Sequence, residues 1–184
     1  MQAPQHIIDY LKTREGWETE VYIDTEGNPT AGMGHLLTPA ERVIYAEGET
    51  VPAQVLARWT KADSESAYTA AIAQSTELGI ASDKGFVTVM TSVNYQLGIY
   101  WRTKFPQTWK AIKDKKWAVA ARMVMDSKWA SQTPSRAREF AEALQNVANA
   151  KPTNGGRTGL KIAIAGALVL FVAAIATVSN NLSN

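Results

Sequence analysis

Residues 21–37 interrupt an otherwise helical pattern, and that interruption does most to restrict the fold. Val21-Tyr22-Ile23 is a β-prone run, and Asp24-Thr25-Glu26-Gly27-Asn28-Pro29 is dense in turn formers. Thr30-Ala31-Gly32-Met33-Gly34-His35 alternates small and larger side chains, as a glycine-weakened strand does. A small antiparallel sheet with a tight turn is the expected product. With helical segments on both sides, the fold class is α+β and mainly helical.

Upstream, Pro4 precedes Ile7, Ile8, Leu11 and Arg14, a spacing that predicts a short amphipathic helix ending near Gly16. Glu15 then sits at its C-terminal end, where the helix dipole disfavours a carboxylate unless a cation compensates. Thr38-Pro39-Ala40-Glu41 reads as a helix start: a Thr cap, Pro at the first position, Glu three residues after Thr. From Pro52 to about Leu78 there is no glycine or second proline, which predicts one long helix linking two lobes. Ser82 to Tyr95 offers Phe86, Val87, Val89, Met90 and Val93 as a buried face. Trp109 to Met125 and Pro134 to Ala148 read as further helices, the second with a capped entry at Ser131-Gln132-Thr133-Pro134. Trp59, Trp101, Trp109, Trp117 and Trp129 read as core side chains rather than sugar platforms.

Residues 151–159 (Lys-Pro-Thr-Asn-Gly-Gly-Arg-Thr-Gly) form a linker by composition. Ile162 opens and Val178 closes a run of seventeen apolar or small residues broken by Thr177 only. At helical rise it measures roughly 26 Å, near the lower limit for a bilayer span. A buried core helix normally shows a polar stripe, and this run has none. The expectation is a transmembrane helix over residues 160–179 in contact with the lipid bilayer, followed by a polar tail at 180–184. The N-terminus is not a cleavable signal peptide, because Asp9, Lys12, Arg14 and Glu15 interrupt any apolar core.

The absence of cysteine excludes a disulfide framework, a thiol nucleophile and a cysteine-ligated zinc. With only His6 and His35, a multi-histidine metal site is not expected either, and no cofactor is implied. The net charge of +2 hides a division. Residues 1–83 hold five Lys/Arg against thirteen Asp/Glu, and residues 84–161 hold fourteen against four. A basic half attracts anionic polymers. Without aromatic interleaving it does not point to nucleic acid.

Glu15 and Asp24 are nine residues apart, and Thr30 lies six further on, across the turn. Two carboxylates and a hydroxyl facing one cleft form a glycosidase set. One carboxyl stays protonated to donate to the leaving oxygen; the other is ionised, to steer a water or stabilise positive charge on the sugar ring. Paired acids near a turn are common, so the spacing alone leaves a purely structural role open.

The residues around them resemble a known family. Arg14-Glu15-Gly16, Tyr22-Ile23-Asp24-Thr25-Glu26-Gly27 and Thr30-Ala31-Gly32-Met33-Gly34-His35-Leu36-Leu37-Thr38 are similar to the phage lysozymes of glycoside hydrolase family 24. The likeness resumes at Asn94-Tyr95-Gln96-Leu97-Gly98 and at Ser127-Lys128-Trp129-Ala130-Ser131-Gln132-Thr133-Pro134-Ser135-Arg136-Ala137. It covers roughly residues 5–148. The resemblance implies a two-lobed fold with residues 1–150 as the catalytic domain. It implies Glu15 as general acid, and Asp24 orienting or activating the attacking water with Thr30 beside it. It also implies Leu36, Tyr95 and Thr108 along the saccharide cleft, Arg136 as a cation against Glu15, and His35 with Asp63 as a structural ion pair. The implied substrate is the β-1,4 bond between N-acetylmuramic acid and N-acetylglucosamine in peptidoglycan.

The sequence departs from the family in places. Asn28-Pro29 replaces an aromatic pair of a T-even member, and Met123 stands where that member has a polar, saccharide-contacting side chain. Residues 1–150 carry sixteen Lys/Arg against seventeen Asp/Glu, without the family's strongly basic character. Lys151, Arg157 and Lys161 precede the apolar run and nothing charged follows it, which places the enzyme on the cytoplasmic side. The expected location is membrane-associated, single-pass, in the host inner membrane or a virion membrane. The expected roles are host lysis or wall penetration during entry, with other virion or lysis proteins as partners. The rival reading is a non-catalytic, membrane-anchored structural or wall-binding protein on a lysozyme scaffold.

Overall fold

The chain folds back at Asp24 where the turn formers cluster. In the computed structural model, which describes residues 1–150, β1 (Glu18–Ile23) runs antiparallel to β2 (Pro29–Gly32), and β2 pairs with β3 (His35–Leu36). Tyr22 faces Thr30 across the ladder, and Thr30 faces Leu36. Gly32 has φ +65°, a backbone hand that favours glycine, and a Cβ there would crowd Leu56 Cδ2 at 3.2 Å. β1 begins at Glu18, earlier than the β-prone run, because Glu20 bridges Thr50 and Val51 N–H donates to Thr19 O at 2.8 Å. The predicted linker, transmembrane helix and polar tail (151–159, 160–179 and 180–184) lie outside the described residues. Among the described residues no helix is long and apolar enough to cross a membrane.

Helix α1 (Gln5–Lys12) starts after Pro4 and buries Ile7 and Leu11 against Met33. At α2 (Pro39–Ile44) the predicted capping box forms: Thr38 Oγ1 accepts from Glu41 N–H, and Glu41 accepts from Thr38 N–H at 2.8 Å. Helix α3 (Ala53–Glu77) has 25 residues and runs about 37 Å. That length lets one helix serve two cores. Leu56 and Trp59 pack with Val21, Ala31, Leu37 and Val51 under the sheet, and Ala71 packs in the helical lobe.

The helical lobe comprises α4 (Lys84–Leu97), α5 (Trp101–Lys104), α6 (Pro106–Lys113), α7 (Trp117–Met125), α8 (Lys128–Gln132) and α9 (Pro134–Asn149). Trp101 is its centre, 1 % exposed, with Trp109 and Phe140 edge-on, each at 5.7 Å. Such aromatic pairs contribute about 0.5–1.5 kcal/mol each beyond burial. Trp59, Trp109 and Trp129 are buried as well, as expected of core side chains.

Two local expectations are corrected. The single helix expected from Trp109 to Met125 is two helices, because Lys115 adopts φ +56° and its N–H donates to Ile112 O, closing α6. The entry to α9 is made by Pro134 at the first position, without a side-chain cap. The Thr133 hydroxyl donates backward to Trp129 O at 3.2 Å instead.

Candidate active site

Glu15 lies just past α1, its N–H donating to Leu11 O at 3.0 Å. The cation its position requires comes from α9. Arg136 Nη2 donates to Glu15 Oε1, and Arg136 Nη1 donates to Ser92 Oγ of α4 at 2.7 Å. Arg136 is 9 % exposed, so it is a fixed donor rather than a surface arginine. No described residue bonds Glu15 Oε2. Glu15 lines a cavity of about 480 Å³ with Arg14, Glu18, Tyr22 and the backbone from Gly32 to Gly34.

Arg14 turns away from Glu15. Its Nε and Nη2 donate to the two oxygens of Glu139 at 3.1 and 2.7 Å, its Nη1 donates to Thr13 Oγ1 at 2.6 Å, and its guanidinium lies 3.8 Å from the Tyr10 ring centroid. The Tyr10 hydroxyl donates to Glu139 Oε2 at 2.7 Å. Burial first, then Glu139, pushes the Tyr10 phenol up to about 12.

Asp24 folds its own turn. Its Oδ1 accepts from Asn28 N–H at 2.8 Å and Glu26 N–H at 2.9 Å. These amides, that of Asn28 foremost, hold the carboxyl below its usual range. Oδ2 has one long contact, 3.4 Å from Asn28 Nδ2, and so keeps room for a water. Thr30 Oγ1 donates to Asn28 O at 3.1 Å, so Asn28 ties Asp24 to Thr30. Neither makes a direct bond to Glu15. Tyr22 stands among them: burial, then Asp24, Glu18 and Glu15, raise its phenol.

A second cavity, of about 270 Å³, continues from Gly34 and is lined by His35, Leu36, Asp63, Asn94 and Tyr95. Leu36 is 55 % exposed. The Tyr95 hydroxyl donates to Met33 O at 3.1 Å, joining α4 to the sheet-bearing lobe. Burial is the main cause that raises its phenol. His35 stacks on Trp59 at 4.3 Å, with Nδ1 2.7 Å from Asp63 and Nε2 3.2 Å from Glu41. Burial pulls its basicity down, but the two carboxylates outweigh it and the net shift is upward.

Thr108 does not join this groove. It is 6 % exposed and borders a small apolar gap with Trp101, Trp129 and Phe140. Met123 packs against the helical-lobe core. Sequence reasoning missed Tyr10, Glu18, Asn28, Ser92 and Glu139. For Glu139 a signal existed: Arg136 and Glu139 share a helix face, and Arg14-Glu15 offers the opposite charges. Among the described residues no cluster of three or more His, Asp or Glu side chains is arranged to hold a metal ion.

No family model matches the chain. It is 32 % identical over 156 residues to a Dictyostelium discoideum protein named "Probable T4-type lysozyme 2", covering 74 % of this chain and 92 % of that one. A second Dictyostelium discoideum protein, "Probable T4-type lysozyme 1", is 30 % identical over 159 residues, covering 76 % and 93 %. "Peptidoglycan hydrolase gp36" of Pseudomonas phage phiKMV is 28 % identical over 130 residues, 71 % of this chain but 14 % of that protein.

Proposed function

The chain belongs to the T4-type lysozyme family, and from that premise we propose that it hydrolyses peptidoglycan as a muramidase, cutting the β-1,4 bond between N-acetylmuramic acid and N-acetylglucosamine. One observation carries the reading. Glu15 has one oxygen pinned by buried Arg136 and the other unbonded, on a cavity that also holds Tyr22. That is how a general acid is held when its proton must face a substrate.

The chemistry follows from the oxygens left free. Protonated Glu15 donates from Oε2 to the glycosidic oxygen as the bond to the anomeric carbon breaks. Asp24 stays ionised, because its turn amides favour the carboxylate. It steers a water from Oδ2 toward the anomeric carbon and takes up the proton that water loses. Thr30 Oγ1 spends its proton on Asn28 O and offers lone pairs to the same water. Asp24 then releases its proton to solvent and Glu15 recovers one, which returns both groups to their starting states. Leu36 and Tyr95 line the groove that takes the flanking sugars. Thr108 acts from behind it, through packing.

Residues 160–179 anchor the enzyme in a bilayer, and the anchored lysozyme serves host lysis or wall penetration at entry. The test of the core reading is Glu15→Gln, which keeps the shape and the Arg136 contact but removes the donatable proton. Loss of about a hundredfold or more in release of reducing ends from purified peptidoglycan, with an unchanged melting temperature, is expected. Retention of most of the wild-type rate refutes Glu15 as the acid and favours a wall-binding role.

A further inference from the structure

Arg14 and Glu15 are neighbours in the chain with opposite charges, yet they do not pair. Two ion pairs cross between the end of α1 and α9. Glu15 goes to Arg136, and Arg14 goes to Glu139, one helical turn further along. All three guanidinium nitrogens of Arg14 are engaged, two by Glu139 and one by Thr13, and its flat face covers Tyr10. Thr13 Oγ1 in turn donates to Tyr10 O at 2.7 Å, and the Tyr10 hydroxyl closes the ring on Glu139. This clasp is more elaborate than a surface ion pair, which is generally worth little. Its geometry fixes where a mobile cation beside the acid can go.

We infer that Glu139, held by Tyr10, is a positioning residue for the reaction: it sequesters Arg14 from Glu15, so that the acid answers to one cation, Arg136, instead of two. This rests on the assignment of Glu15 as general acid. A general acid must keep its proton at working pH, and each cation brought near it drives the proton off. Arg136 cannot be dispensed with, because it orients Glu15 and is itself buried and anchored on Ser92. Arg14 is the surplus charge. It is 28 % exposed on its side chain and adjacent in sequence, so only its partners keep it from Glu15. The other charged or titratable groups around Glu15 are Glu18 and Tyr22 of β1, Asp24 in the turn and Tyr95 of α4. They are acids or neutral phenols, so none can substitute for Glu139 as the trap for Arg14 while leaving Glu15 undisturbed.

Charge deletion alone moves the alkaline limb of the pH profile in opposite directions for the two single variants; sequestration adds that E139Q moves it further than R14Q, because the freed Arg14 also brings its cation toward Glu15. Glu139→Gln removes a negative charge and frees Arg14 to approach Glu15. Both effects push the alkaline limb of the kcat/KM profile to lower pH. Arg14→Gln removes a positive charge and leaves Glu139 anionic, so it pushes the limb to higher pH. The double variant removes a neutral pair, and its limb returns to the wild-type position.

The experiment measures kcat/KM against pH on soluble peptidoglycan fragments for wild type, R14Q, E139Q and R14Q/E139Q, with E15Q as reference and melting temperatures throughout. The expected displacement is about half a pH unit for R14Q, roughly threefold in rate on the alkaline side, and about twice that for E139Q. Opposite displacements, larger for E139Q than for R14Q and restored in the double variant, support the inference. Unmoved limbs, displacements of the same sign, or an E139Q displacement no larger than that of R14Q overturn it. If E15Q itself retains most activity, the general-acid assignment has failed first. If E15Q is inactive while the limbs stay together, only the role of Glu139 has failed.

Discussion

Gln74 and Asn94 bury two amides face to face between α3 and α4, each 2 % exposed. Gln74 Nε2 donates to Asn94 Oδ1 at 2.9 Å, and Asn94 Nδ2 donates back to Gln74 Oε1 at 2.8 Å. Asn94 Nδ2 also reaches Met90 O at 2.8 Å, and Trp101 Nε1 points at Gln74 Oε1 from 3.4 Å. Replacing Gln74 with Leu leaves Asn94 Oδ1 without a donor, one Asn94 Nδ2 hydrogen without an acceptor, and Trp101 Nε1 unbonded. A buried orphan costs about 1–3 kcal/mol, and the apolar gain of leucine offsets about 1–2 kcal/mol. The expected net loss is about 3 kcal/mol, a fall of about 1–2 M in urea midpoint. Q74L/N94L removes both amides together and should lose less than Q74L alone, because an apolar pair of similar shape leaves fewer orphans. Urea unfolding followed by tryptophan fluorescence is the assay. A Q74L loss under about 0.5 kcal/mol, or a double-variant loss equal to the sum of the single ones, refutes the reading of this pair as mutually dependent.

His35 carries a net upward shift between Asp63 and Glu41, so its ion pairs stabilise the fold fully below the ordinary histidine value and fade as pH rises through the folded one. The stability gap between wild type and His35→Gln is therefore expected to be wider at pH 5.5 than at pH 8.5 by urea unfolding; a gap that widens with pH contradicts this. Tyr95→Phe removes the bond to Met33 O and should lower kcat/KM several-fold, at a cost near 1 kcal/mol in stability; an unchanged kcat/KM would show the bond does not shape the site. Deleting residues 151–184 should leave melting temperature and turnover on soluble fragments unchanged and move the protein from the alkaline-carbonate-resistant membrane pellet to the supernatant. A full-length chain that washes off as readily as the truncated one removes the anchor.

The local grammar of the chain was readable where chemistry is short-range. Turn formers at 24–29, the capping box at Thr38 and Glu41, and the uninterrupted run beyond Pro52 each specify structure through neighbours within a few residues. The proposed set of Glu15, Asp24 and Thr30 rests on motif likeness rather than on spacing. The break between α6 and α7 was not readable, since Trp109, Ile112, Ala120 and Val124 keep helix-compatible spacing through it. Lys115 also takes a backbone hand that usually announces itself as glycine. Pairing of β1 with Thr50 and the Arg14–Glu139 clasp join residues far apart in sequence, where local pattern carries no information. Thr108, placed along the cleft by family likeness, sits on a helix whose buried face also holds Trp109, Ala111 and Ile112 and borders an apolar gap.

The two halves of the proposed reactive set hang from different supports. Glu15 is tied through Arg136 to α9 and through Ser92 to α4, whereas Asp24 and Thr30 belong to a sheet packed on Val21, Ala31 and Leu37. The gap between acid and water therefore depends on how the sheet is held to the helices. The long helix α3, the packing of Ile7 and Leu11 of α1 on Met33, and two polar ties set it: His35 to Asp63 of α3, and Tyr95 to Met33 O. The two larger apolar cores, under the sheet and in the helical lobe, mainly fix each half internally. Substitutions in the cores should consequently register in unfolding first. Substitutions in the two ties, which are half-buried and contribute little to burial, should register in catalysis before stability. Helix α3 is the exception, since its Leu56 and Trp59 pack with the sheet while Asp63 carries the tie, so it is where loss of packing and loss of rate should coincide.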